Sequence, residues 1–228
     1  MTERLWSIII ESFPKILIPG LTMTLPLTVI SFSLAMVIAI AVALLQYAKV
    51  PVIKQLCRFY IWVIRGTPLL VQLFVIFYGL PSIGIVLDRF PAAVIAFSLN
   101  EGAYCAETVR GALEAVPHGQ LEAGYCVGMN YFQIMRRIVL PQALRSAFPA
   151  LGNSLISLVK DTSLASNITV LEMFMATRRV ISTTYEPLAL YLEVGLVYLL
   201  FSTLLTFLQR FGEKKLNAAV GLGGRKHA

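Results

Sequence analysis

The stretch Leu34-Ala35-Met36-Val37-Ile38-Ala39-Ile40-Ala41-Val42-Ala43-Leu44-Leu45 decides the fold class. It is the end of a longer run, Ile16 to Ala48, that contains no charged residue. A bilayer core about 30 Å thick takes about 20 apolar residues in a helix. The run therefore predicts a first membrane span from Leu21 to Leu45. The rest of the chain agrees. Hydrophobic residues make up 57% and charged residues 14% of the 228 positions, against roughly 25% charged in soluble domains. Mean hydropathy is +0.77. A water-facing surface needs more charge than this. The N-terminal residues carry Glu3, Glu11 and Lys15 and lack a short apolar stretch ending in a small-residue cleavage site, so no cleaved signal peptide is expected.

Four further spans are expected: from about Phe59 to Leu87, Pro91 to Leu113, Phe148 to Leu171 and Leu188 to Leu208. The expected fold is all-α, a polytopic membrane protein of about five spans in one domain over 1–228. One set of loops holds Lys49, Lys54, Arg58, Arg136, Arg137, Arg145, Arg210, Lys214, Lys215, Arg225 and Lys226; the other holds Arg4, Lys15, Arg89, Arg178 and Arg179. The richer set belongs in the cytoplasm. The N-terminus is then outside, the C-terminus inside, and about 114–140 is a long cytoplasmic loop. This asymmetry accounts for the net charge of +7 without nucleic acid, since no basic run is interleaved with exposed aromatics. Cys57, Cys105 and Cys126 form no Cys-x-x-Cys pair and read as small apolar residues. His118 and His227 have no partner pattern. There is no internal repeat, and Gly221 to Lys226 reads as a frayed end.

Within the loop, Glu122-Ala123-Gly124 begins a short helix that Gly128 is placed to end, because glycine tolerates positive φ. Small residues there would let another protein approach. Arg136 and Arg137 precede Ile138-Val139-Leu140, and Pro141 is suited to open the next helix. Spacing alone also fits a loop helix lying on the membrane surface.

Glu122, Ala123 and Gly128, a nine-residue gap, then Ile138, Leu140 and Pro141 match the signature of the membrane permeases of ATP-binding-cassette importers. Gly124 stands where that family usually has Ala. Arg58-Phe59-Tyr60 continuing to Arg65-Gly66-Thr67-Pro68-Leu69, and the run Asn153 to Leu164, resemble its polar amino-acid branch; Gln72 to Pro81 and Lys160 to Leu164 are most like cystine-type permeases. The resemblance spans about Gly20 to Asn217. It implies a bacterial inner-membrane subunit whose loop, through Glu122, Ala123, Gly124, Gly128, Ile138, Leu140 and Pro141, couples to a separate ATPase. It also implies an extracytoplasmic substrate-binding protein and a second permease copy, most simply identical. No Gly-x-x-x-x-Gly-Lys-Ser/Thr run is present, so ATP and Mg are expected on the partner, with no cofactor and no catalysis here.

Ionisable residues at membrane depth usually face a bundle interior or a wet cavity. Asn153, Ser157 and Lys160 share one helical face, and Ser154, Ser157 and Asp161 an overlapping one. Both a zwitterion pocket and a structural ion pair fit these residues; the resemblance favours Asp161 as partner of an α-ammonium group. Asn100, Tyr104 and Glu107 form a polar stripe, Glu107 and Arg110 are spaced to pair, and Glu101 lacks a partner at helical spacing. Arg65-Gly66-Thr67-Pro68 breaks the second span as a pocket wall or a kink, and Gln72 follows as a hydrogen-bond donor. Candidate substrate residues are therefore Asp161, Lys160, Asn153, Ser157, Gln72, Arg65 and Glu101. Cystine is the expected substrate, with a basic amino acid or glutamine next. A gradient-driven transporter would share the charges without needing the loop signature. A membrane enzyme would need a catalytic constellation that two isolated histidines and unpaired cysteines do not offer.

Overall fold

The computed structural model describes residues 2–47 and 50–218. Lys49, His227 and the tail from Gly221 to Lys226 lie outside these. Among the described residues the chain forms ten α-helices with short π and 3₁₀ turns and no strand. In order they are α1 (Thr2–Pro19), α2 (Leu25–Tyr47), α3 (Pro51–Arg65), α4 (Leu69–Phe74), α5 (Arg89–Glu114), α6 (His118–Cys126), α7 (Tyr131–Ile134), α8 (Leu140–Asp161), α9 (Met173–Thr184) and α10 (Pro187–Ala218).

The first span is longer than expected. α1 and α2 join through a π turn into one apolar helix, Glu3–Tyr47, of 45 residues. At 1.5 Å per residue that is about 67 Å, more than twice a bilayer core. Among the described residues, Pro187–Leu216 is the other single helix long and apolar enough to cross. α5 and α8 have 26 and 22 residues, enough to cross at about 39 and 33 Å, but Glu101, Glu107, Arg110, Lys160 and Asp161 interrupt their apolarity. The expected second span does not form as one helix: Pro51–Arg65 and Leu69–Ile83 meet at 101°. The expected fourth span is helical only to Asp161 and continues as a 3₁₀ stretch, Thr162–Ile168.

Each of the three π turns precedes a Leu-Pro pair. Leu25, Leu80 and Leu140 donate their N–H groups to Gly20, Val75 and Met135, and Pro26, Pro81 and Pro141 follow. A proline has no N–H to give, and its ring collides with the carbonyl four residues back. One widened turn ahead of it relieves the clash and keeps the chain helical. Pro141 therefore does not open a separate helix; α7, the π turn Met135–Val139 and α8 run on as one rod.

α2 and α5 form the centre and run parallel. Ser98 Oγ donates to the Ser31 carbonyl at 3.2 Å, and Gln46 Nε2 to Glu107 Oε1 at 3.5 Å, so later residues meet later residues. Small side chains permit the approach. Ala39 and Ala43 share a buried cluster with Ala103 and Ala106, and a Cβ on Gly102 would sit 2.9 Å from Ile38 Cγ2. Val29, Val37, Leu192, Leu196 and Leu199 are exposed, an apolar exterior that suits lipid.

Two broken places have their own polar support. At the α3–α4 break, Gln72 Nε2 donates to the Ile64 carbonyl (2.7 Å), the Thr67 carbonyl (3.1 Å) and Thr67 Oγ1 (2.8 Å). Its Oε1 accepts from Asn100 Nδ2 at 3.0 Å. At the start of α9, the fully buried Glu172 accepts from the N–H groups of Phe174 and Met175 and from Tyr198 Oη at 2.7–2.8 Å.

Gln72→Ala would strip the first break of its donors and orphan Asn100. We expect a loss of about 1–3 kcal/mol, read as a lower thermal unfolding midpoint of the purified protein in detergent. An unchanged midpoint would show that the break holds without Gln72.

Candidate functional site

The α3–α4 break opens a cavity of about 380 Å³ between it, the middle of α5 and the end of α8. Thr67, Pro68 and Leu69 form one wall, Asn100, Glu101 and Tyr104 the second, and Ser154, Ser157, Asp161 and Leu164 the third. The volume is in the range of small-molecule sites. Its charged lining groups are the carboxyls of Glu101 and Asp161. Glu101 is buried, and Cys105 Sγ donates to its Oε1 at 3.4 Å. Hydroxyls from Thr67, Tyr104, Ser154 and Ser157 surround the two acids. Such a lining can take a cationic group on the carboxyls and satisfy a neighbouring anion with hydroxyl donors.

Of the expected substrate residues, Asp161, Ser157 and Glu101 line this cavity. The other four do not. Asn153 turns toward α10, where its Oδ1 accepts from Gln209 Nε2 at 3.4 Å. Lys160 lines a separate cavity with Ser163, Phe174, Tyr191 and Tyr198. The cause is helical phase. At about 100° per residue, Ser154, Ser157 and Asp161 point one way, while Asn153 and Lys160 fall to one side of Ser157. Gln72 stands behind the wall, spent on the break and on Asn100. Arg65 sits at the rim, its guanidinium 5.0 Å above the Tyr104 ring and 4.0 Å from Glu107 Oε2. Asn100, Tyr104, Ser154 and Thr67 are cavity residues missing from the expected set. Both polar stripes, Asn100-Tyr104 and Ser154-Ser157-Asp161, were visible as helical spacing. Glu107 pairs with Arg110 at 2.8 Å, and Arg110 also with Glu114 at 2.8 Å.

The loop between α5 and α8 is compact. α6 starts at His118, so Glu122, Ala123 and Gly124 lie in its middle and do not begin it. Its end is a Schellman closure: the Gly128 N–H donates to the Tyr125 carbonyl at 2.9 Å and the Met129 N–H to the Gly124 carbonyl at 3.0 Å. Gly128 has φ +78°, which disfavours any side chain. Asn130 and Gln133 then cap each other's backbone N–H groups at 2.9 Å. Gly124 is small for an internal reason. It is buried, and a Cβ there would lie 2.7 Å from Ile134 Cγ1, so it brings α6 onto the α7–α8 rod. Glu122 and Ala123 are exposed, as are Tyr125, Val127 and Phe132. Ile138 and Leu140 are half-buried against the main core cluster, and Pro141 is exposed.

Residues 35–218 match the family model described as binding-protein-dependent transport system inner membrane component. The L-cystine transport system permease protein TcyB of Bacillus subtilis is 44% identical over 94% of this chain and 92% of its own length. The nopaline transport system permease protein NocM of Agrobacterium fabrum is 40% identical over 92% and 91%. A crystal structure of an amino acid ABC transporter with histidines superposes with a TM-score of 0.84 at 33% identity, covering 90% of this chain and 96% of that one. The loop signature, the broken apolar helices and these likenesses agree: the chain belongs to the family of inner membrane components of binding-protein-dependent transport systems.

Proposed function

We propose that this permease subunit carries a polar amino acid, cystine first, through the cavity beneath the α3–α4 break. Family membership implies a separate ATPase and a binding protein as partners and sets aside the gradient-driven transporter. Similarity to two cystine permeases of Bacillus subtilis, at 44% and 38% identity, supports the substrate. The observation that carries the reading is the pair Glu101 and Asp161 among hydroxyls in one cavity of amino-acid size. Cystine has two α-ammonium groups for two carboxylates. A basic amino acid, which also has two cationic groups, is the second reading, favoured by the same pair. Within this reading, two permease copies form the pathway, each docked to one ATPase that binds ATP and Mg.

The exposed surface of the loop, Tyr125 on α6 with Val127 just after it and Phe132 on α7, is suited to press on the ATPase, and the Schellman closure makes it stiff enough to transmit motion. Charge asymmetry favours this face, and the C-terminus, on the cytoplasmic side. The binding protein then delivers substrate at the opposite side, near Pro81 to Phe90 and Glu172 to Glu186.

Reconstitution with the ATPase and the loaded binding protein tests the reading. ATP hydrolysis stimulated by cystine supports it; stimulation by a basic amino acid alone selects the second reading. Asp161→Asn and Glu101→Gln should each lower uptake by about 10- to 100-fold, as expected for a lost charged hydrogen bond, while membrane insertion is retained. Full uptake by both variants would remove the cavity from the pathway.

Gly128→Val should strain the closure by about 1–3 kcal/mol and misplace the α6 face. We expect the variant to insert and bind substrate but to lose ATP-driven uptake. Normal coupled uptake would show that this turn does not carry the motion.

A further inference from the structure

A second polar cavity, about 330 Å³, lies between the ends of α2 and α5 and the side of α3. Its acids are already committed. Glu107 and Glu114 both pair with Arg110 at 2.8 Å, and Arg65 also reaches Glu107. Lys54 and Arg58, which line the same cavity, have no acidic partner among the described residues. Positive charge is therefore in excess. Beside it runs an apolar groove of about 440 Å³ along α3, lined by Leu56 and Phe59 and sharing Arg58 and Trp62 with the polar cavity. Leu56, Phe59 and Trp62 are exposed by 65, 62 and 71%.

The two spaces form one site, cationic at one end and apolar at the other, joined at Arg58 and Trp62. α3 meets the following helix at 101°, so both cannot run along the membrane normal. Tryptophan rings and long basic side chains are the residues that anchor at a membrane interface. A soluble anion would leave the groove uncovered, and a zwitterionic lipid, which brings its own cation beside its phosphate, would leave the excess positive charge of Lys54 and Arg58 uncompensated. We propose that this site binds an anionic phospholipid, its phosphate on Lys54 and Arg58 and an acyl chain along Leu56, Phe59 and Trp62. The site is separate from the transport cavity and does not depend on which substrate that cavity takes.

The test is native mass spectrometry of the delipidated permease–ATPase complex titrated with phosphatidylglycerol or phosphatidylcholine. Wild type should prefer phosphatidylglycerol. Lys54→Gln and Arg58→Gln should each weaken it by about fivefold and phosphatidylcholine by less, so that the preference narrows, and Arg58→Lys should retain it. Trp62→Ala should weaken both lipids and keep the preference. Equal binding of the two lipids by wild type would overturn the proposal, whatever the variants do. So would efficient cross-linking of Trp62→Cys between two permease copies in native membranes, which would show the groove covered by protein.

Discussion

In a bilayer every backbone N–H and carbonyl must find a partner inside the protein, and this structure is organised around the places where that is difficult. Prolines and glycines interrupt the helices repeatedly, and each interruption has a local remedy. Three Leu-Pro pairs are preceded by a π turn that keeps the rod continuous. The sharper α3–α4 break exposes the carbonyls of Ile64 and Thr67, and the side chain of Gln72 pairs with both. The start of α9 is capped by Glu172, a carboxyl fully buried among its donors.

The candidate site depends on that same economy of partners. A straight helix through Phe59 to Leu87 would have filled the space beside α5. The 101° turn leaves a cavity instead, and α5 and α8 turn their acids and hydroxyls into it. Glu101 and Asp161 thereby avoid the hydrocarbon. The same separation operates at the ends of α2 and α5, where Glu107, Arg110 and Glu114 satisfy one another and leave Lys54 and Arg58 without an acidic partner among the described residues.

Packing sets how precisely these features are held. Ala39, Ala43, Ala103, Ala106 and Gly102 bring α2 and α5 together, so the wall bearing Asn100 and Glu101 is fixed to the longest helix of the molecule. Gly124 does the same for the loop, seating α6 on Ile134. The α6 segment is thus joined, through Ile134 and a continuous helix from Tyr131 to Asp161, to the acid that lines the cavity. Contacts this close fix the relative placement of the two segments, because a close-packed interior has little room to absorb a shift.

Local chemistry was legible in the sequence: apolar length, charge asymmetry, the helix breakers, the loop signature, and the spacing of Ser154, Ser157 and Asp161. These depend on neighbours within one or two helical turns. The tertiary structure decided the rest. Spacing grouped Ser157 equally with Asn153 and Lys160 or with Ser154 and Asp161, and only the position of α5 against α8 selected the second group. Gln72 read as a donor for a ligand, yet its acceptors are the Thr67 hydroxyl and two carbonyls freed by a turn whose angle no local pattern states. Gly124 read as room for another protein, but Ile134, ten residues on, occupies that room. The order of apolar and polar residues along one chain determines that helices form and where they break; which face meets which is set by contacts between segments far apart in sequence.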